Sequence, residues 1–144
     1  MPVGRDLYAV AIDWVREVVS APALTPLVTA PAPVLGLFNL RGEVVPLLDT
    51  ASLAGVGRTE AVAFAVVLYT PDGPLALSAT GFPRRAILDE PLGPSELPLG
   101  AGVYRIGDRV AALLDMDRVL DFAKGSTAER HDTDQRAGAL ARPR

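Results

Sequence analysis

Residues 47–52 read Leu-Leu-Asp-Thr-Ala-Ser, one letter away from the Asp-Thr-Gly loop that carries the carboxylate of an aspartic hydrolase. That chemistry needs two such loops, so that two carboxylates share a proton and divide the work of acid and base. The nearest second copy is Leu-Leu-Asp-Met-Asp-Arg at 113–118, where neither a hydroxyl residue nor a glycine follows Asp115. An aspartic hydrolase centred on Asp49 is therefore the weaker reading. Both aspartates fit an N-cap instead, each carboxylate accepting the free N–H groups of a short helix. Thr50 to Leu53 follow Asp49, and after Asp115 the residues Met116, Val119, Leu120 and Ala123 recur at helical spacing as one apolar face. Other reactive groups are scarce. There is no cysteine, hence no thiolate, nucleophilic thiol or disulfide, and the one histidine, His131, sits in a polar stretch without ligand partners. No catalytic residue, cofactor or metal site is expected, and the protein is read as a binder rather than an enzyme.

The elements that must hold these residues are short. Thirteen Gly and thirteen Pro are spread over 144 residues, separating runs rich in Val, Leu and Ile. That punctuation favours many short strands, a mainly β protein. A chain of this length buries roughly 70% of the surface it exposes when unfolded, enough for one well-packed domain. Net charge is −3 with both signs interspersed, which disfavours nucleic acid as a partner. The longest apolar run, 61–69, is about half of what a membrane helix needs, and no apolar signal segment opens the chain. A cytoplasmic protein without membrane insertion is expected.

An internal repeat organises the rest. Gly-Leu-Phe-Asn-Leu-Arg-Gly-Glu-Val-Val-Pro-Leu-Leu-Asp at 36–49 aligns without a gap on Gly-Val-Tyr-Arg-Ile-Gly-Asp-Arg-Val-Ala-Ala-Leu-Leu-Asp at 102–115. A weaker pair, from Tyr8 and from Leu75, lies upstream of each copy. Within each copy two apolar segments meet at a glycine-containing joint, Arg41-Gly42 or Gly107-Asp108, as the positive φ of a tight hairpin requires. Two hairpins at equivalent places fit two small antiparallel barrels, in which curling the sheet hides its edges.

Residues 24–49, with a Thr-Pro stretch, an Ala-Pro pair, an apolar-Gly step, Asn-Leu-Arg-Gly, Val-Pro and Asp, resemble the central signature of the CheW family of chemotaxis coupling proteins. The segment 102–120 is similar to that family's ending and 8–19 to its opening strands, so the likeness runs over about residues 7–123. The resemblance implies two five-stranded SH3-like barrels in one domain, 1–123, followed by a flexible tail, 124–144. It also implies a non-enzymatic adaptor that couples chemoreceptors to a CheA-type histidine kinase. Such a protein docks on the kinase's regulatory domain and on the receptor's cytoplasmic tip, recruited to receptor arrays at the membrane. A paralogue serving another pathway, such as type IV pilus motility, is the alternative.

By motif, the partner-binding arginine of the family falls on Arg41 and its paired glutamate on Glu17. Asn39 and Gly42 complete the candidate set, although their types also suit a turn and a strand end. Trp14, Phe38, Phe64 and Phe82 are expected in the core by default. Two departures from the family pattern stand out. Only Met-Pro-Val-Gly-Arg precedes the opening strand, too short for a normal strand and turn, so the first barrel is expected to lack its N-terminal strand and to self-associate through the open side. In the second half, Pro83 interrupts a would-be strand and 88–102 adds a Pro-rich loop.

Overall fold

The computed structural model describes residues 1–28 and 33–124; apart from Lys124, the expected tail lies outside them. Ten strands form: β1 (Pro2–Val3), β2 (Asp6–Ala9), β3 (Val15–Ser20), β4 (Val34–Leu40), β5 (Glu43–Leu48), β6 (Phe64–Leu68), β7 (Leu75–Ala79), β8 (Glu90–Gly93), β9 (Gly100–Ile106) and β10 (Arg109–Leu114). A 3-10 turn over Ile12–Trp14 precedes β3, and the short helix α1 (Thr50–Leu53) follows β5. Residues 116–124 are helical and are labelled α2.

The strands make two five-stranded sheets, in the orders β3-β6-β7-β5-β4 and β1-β2-β10-β9-β8. The mainly β architecture of two five-stranded, SH3-like sheets agrees with the sequence reading, with three refinements. Neither sheet closes its outermost strands on each other into a cylinder. Each contains one parallel pair, β5 with β7 and β10 with β2, so the sheets are mixed rather than purely antiparallel. Finally, the opening Met-Pro-Val-Gly-Arg does supply a strand. Pro2 and Val3 pair with Leu7 and Asp6 across a turn at Gly4 (φ 61°), and this hairpin completes the second sheet, not the first.

The repeat is therefore closed by exchange: the start of the chain supplies β2 beside β10 as β7 lies beside β5. The correspondence holds residue by residue at the 66-residue offset. Asp49 N–H donates to the Pro33 carbonyl and Asp115 N–H to the Leu99 carbonyl, while Leu53 and Val119 close the first turns of α1 and α2 onto Asp49 and Asp115. Thr25 bridges to Leu37 beside β4, and at the same place beside β9 the chain forms the full edge strand β8. Pro91 is tolerated there because an edge strand leaves one row of backbone groups unpaired.

Alternation along β5, β6 and β7 explains where the core sits, since successive side chains face opposite sides of a sheet. Phe38, Leu40, Val45, Leu47, Ala65, Val67 and Ala76 face one way and form a cluster inside the first half. Leu48, Val66, Leu68, Leu75 and Leu77 face the other way and pack against Val3, Tyr8, Leu99, Leu114, Met116 and Val119 between the halves. The helical face expected of Met116, Val119, Leu120 and Ala123 is the one α2 lays on this second cluster. Truncating a fully buried leucine such as Leu47 would cost about 2–5 kcal/mol.

Candidate functional site

Asp49 is wholly buried and saturated with donors. Its carboxylate accepts from the N–H groups of Ala51 (3.1 Å) and Thr59 (3.0 Å) and from the hydroxyls of Ser52 (3.0 Å) and Thr59 (2.5 Å). Thr50 adds a hydrogen bond from its N–H to Ser78 Oγ (3.0 Å) and one from its hydroxyl to the Ser78 carbonyl (2.6 Å). A carboxylate so engaged caps α1 and pins the loop at Thr59; no lone pair faces a substrate. Asp115 caps α2 through Arg118 N–H at 3.2 Å. The two aspartates are not brought together as a dyad, which removes the hydrolase reading.

The β4–β5 turn presents a different kind of chemistry. Arg41 (φ 51°) and Gly42 (φ 89°) take the two left-handed positions of a two-residue hairpin turn. Arg41 is the one non-glycine residue with positive φ among the described residues, and the equivalent place in the second repeat holds Gly107 at φ 62°. The left-handed region costs a non-glycine residue roughly 1 kcal/mol. Asn39 stabilises the turn, its side-chain oxygen accepting from Gly42 N–H at 2.9 Å. Asn39 and Gly42 thus shape the tip, while Arg41 projects from it with 62% of its side chain exposed.

Arg41 lies against Glu17, as their mapping suggested. Nη1 donates to Oε2 at 3.1 Å and Nη2 to Oε1, a bidentate fork that a lysine does not reproduce. Two further residues join them that sequence reasoning missed. Arg16 Nη2 meets Glu43 Oε1 at 2.9 Å, and its Nε lies 3.5 Å from Glu17 Oε1. Its guanidinium also sits over the Tyr69 ring, 5.9 Å from the centroid. The hydrogen bond from Arg41 is the main cause that holds the Glu17 carboxyl below its ordinary range, while Glu43 and Glu17 push Arg16 and Arg41 up. The result is an alternating chain, Arg41–Glu17–Arg16–Glu43, bordered by the exposed Tyr69. A β-bulge between Val15 and Glu17 makes it possible, because it turns the neighbours Arg16 and Glu17 to the same surface.

A second feature is a groove of about 340 Å³ formed by β2, the 3-10 turn, β3 and the segment 83–88. Its walls include Ile12, Val18, Leu88, Ile106 and Leu113. Of the four aromatics expected in the core, Phe38 is buried and Trp14 packs against the inter-sheet cluster. Phe64 is half-buried and meets Phe82 edge to face at 5.3 Å, and Phe82 itself is exposed, correcting its core assignment. None of the four lines the groove.

Two mixed sheets whose one buried carboxylate among the described residues serves a helix cap, and which show the solvent a charged tip and an apolar groove, fit a scaffold that works by binding. Residues 1–124 match the CheW-like domain family, and the chain belongs to it. That family is one of non-enzymatic scaffold or adaptor proteins. Over 47 residues the chain is 40% identical to the chemotaxis protein CheW of Treponema pallidum (strain Nichols), covering 33% of this chain and 28% of that one. Over 58 residues it is 41% identical to the chemotaxis protein CheW of Rhizobium meliloti (strain 1021), covering 40% and 37% respectively. The matched stretches thus span about a third of these relatives. The crystal structure of a scaffolding protein, the CheW of Thermoanaerobacter tengcongensis, superimposes with a TM-score of 0.61 over 79% of this chain and 84% of that one. At 22% identity that likeness shows the fold. Among the described residues no helix is long and apolar enough to cross a membrane.

Proposed function

We propose that this chain couples chemoreceptors to a CheA-type histidine kinase, with residues 1–123 as the working domain in the cytoplasm, recruited to receptor arrays. The tip of the β4–β5 hairpin docks on the kinase's regulatory domain, and a receptor's cytoplasmic tip binds elsewhere on the same domain. The observation that carries this reading is Arg41: a non-glycine residue held in a left-handed conformation where the repeat uses glycine, exposed, and oriented by Glu17. Strain kept at an exposed arginine points to a role outside folding, and arginine is enriched among the residues that carry interface energy. Asn39 and Gly42 support the contact by fixing the turn.

Calorimetric titration against the regulatory domain of the kinase encoded in the same genome tests this. One-to-one binding that Arg41→Glu weakens more than about tenfold supports docking at the tip. Folded wild type that does not bind removes direct coupling to that kinase and leaves the fold untouched. Self-association would use the outer edge of β3, which has no strand partner among the described residues. The bulge and the charges of Arg16 and Glu17 there limit it to a weak contact, and sedimentation showing a monomer at every concentration would remove it.

A further inference from the structure

The turn that carries Arg41 is steadied from the strand opposite it. Among the described residues no backbone ladder joins β3 to β4 or β5, since β3 and β4 are the two outer strands of the first sheet. Two side-chain ties cross that gap instead. Glu17 reaches the apex of the turn at Arg41, and Arg16 reaches its base at Glu43, with Nη2 2.9 Å from Oε1. An isolated surface ion pair holds two long side chains only weakly. Here the two pairs are joined, because Arg16 Nε lies 3.5 Å from Glu17 Oε1, the same oxygen that accepts from Arg41 Nη2.

Arg16 is the fixed member of the four. It is the extra residue of the β3 bulge, standing between Val15 opposite Leu68 and Glu17 opposite Val67. Bulges re-aim a side chain and are over-represented beside functional sites. The Arg16 side chain is 21% exposed, against 62% for Arg41. Its guanidinium is bounded by Glu43, by Glu17 and by the Tyr69 ring, 5.9 Å from the centroid. The backbone below that ring is held as well, for Tyr69 N–H donates to the Trp14 carbonyl at 2.8 Å, just before the bulge.

We infer that Arg16 is a positioning residue for docking at the β4–β5 tip: it holds Glu17 in place, so that Glu17 presents the Arg41 guanidinium in one orientation. This deepens the coupling reading and rests on it. An arginine already ordered loses less freedom when a partner closes on it, and ordering one long side chain at an interface costs about fivefold in affinity. Lysine does not substitute at Arg16, since meeting Glu43 and Glu17 at once uses two nitrogens of one rigid plane.

The test is a calorimetric cycle against the kinase regulatory domain from the same genome, with Arg16→Gln, Glu17→Gln and the double variant. Arg16→Gln weakens binding about fivefold, and Arg16→Lys by a similar factor. Glu17→Gln weakens binding too, and adding Arg16→Gln to it costs nothing further, because Arg16 acts through Glu17. In the free protein, nitrogen relaxation of the Arg41 Nε–H reports a lower order parameter in Arg16→Gln, a signature that a role in folding alone does not move. Circular dichroism checks the fold, and Arg16→Lys, which keeps the charge and the stem, takes the place of Arg16→Gln in the cycle should the latter unfold. Losses that add in the double variant overturn the inference, since Arg16 then meets the partner itself or acts through the fold. Unchanged affinity or an unchanged Arg41 order parameter in Arg16→Gln also overturns it, and coupling stands if Arg41→Glu still weakens binding. Wild type that does not bind the kinase domain overturns coupling and the inference together.

Discussion

The hairpins β4–β5 and β9–β10 are copies of one design used for two purposes. Both follow a strand-entry glycine, both end in an aspartate whose N–H meets the carbonyl of Pro33 or Leu99, and both lead into a helix. The first, however, is backed by a cluster of its own, with Phe38, Val45, Leu47 and Val67 buried inside the sheet. At corresponding places the second has Tyr104, Ala111 and Leu113, of which only Ala111 is fully buried. The tips differ in the opposite sense, since the well-packed first hairpin carries the strained Arg41 and the looser second one the relaxed Gly107. A rigid base can hold an unfavourable residue at its tip; a loose one relaxes it away. The first half is thus the better-packed anchor, and under the proposed function it also carries the docking tip.

Removing the two aspartates should break the symmetry most visibly. Asp49→Ala strips a cap and leaves the buried N–H of Ala51 and the Thr59 anchor unmet, an expected loss of about 3 kcal/mol. Asp115→Ala loses a partly exposed cap, about 1 kcal/mol. Urea unfolding of both variants gives the two values, and equal losses would mean that the Asp49 network contributes nothing beyond capping.

The strand-entry glycines come next. A Cβ on Gly36 would stand 2.9 Å from the Thr25 carbonyl oxygen, a backbone atom with little freedom, whereas on Gly102 it would meet the edge of the Tyr104 ring at 3.3 Å, which can turn aside. Gly36→Ala should cost about 2 kcal/mol, roughly twice the loss at Gly102. Thermal unfolding of the pair checks the ratio.

How much of this the sequence disclosed follows from what a local pattern encodes. The repeat, both hairpins, both caps and the face of α2 were legible because glycine, aspartate and apolar spacing act through neighbouring residues. The exchange of β1–β2 into the second sheet was not, because alternation says which way a side chain faces and not which strand lies beside it. Strand β8 was hidden by its Pro-Leu-Gly-Pro run, acceptable only at an edge. Arg41 and Glu17 were reached through resemblance. Arg16 and Glu43 escaped because strand alternation puts Arg16 and Glu17 on opposite faces until a bulge, invisible in sequence, turns them together. The groove escaped because its walls come from four separated stretches.

Exchanging the tips tests the claim that strain and docking reside together. Arg41→Gly relieves the left-handed cost but adds backbone entropy to the unfolded chain, a net rise of about 2 °C in Tm, and should abolish binding to the kinase domain. Gly107→Arg should lower Tm by a similar amount and create no kinase site, because the Arg16–Glu17–Glu43 cluster that flanks Arg41 belongs to the first tip. Calorimetry with and without the kinase domain reads both effects. A fall in Tm for Arg41→Gly would mean that the contacts to Glu17 outweigh the strain.

The smallest expected effect isolates that last term. Because the Arg41 hydrogen bond holds Glu17 below its ordinary pKa, the pair's contribution is complete above the unfolded glutamate value of about 4.3. It is lost as the pH falls through the lower folded value. An NMR titration of the Glu17 carboxyl carbon should show that depressed midpoint in wild type and an upward return in Arg41→Gly. The return should stop short of the ordinary value, since Arg16 remains 3.5 Å away. A midpoint that ignores Arg41 would mean the fork does not form in solution. The two tips would then differ by backbone strain alone, and Glu17 would have no part in aiming Arg41 in the proposed docking.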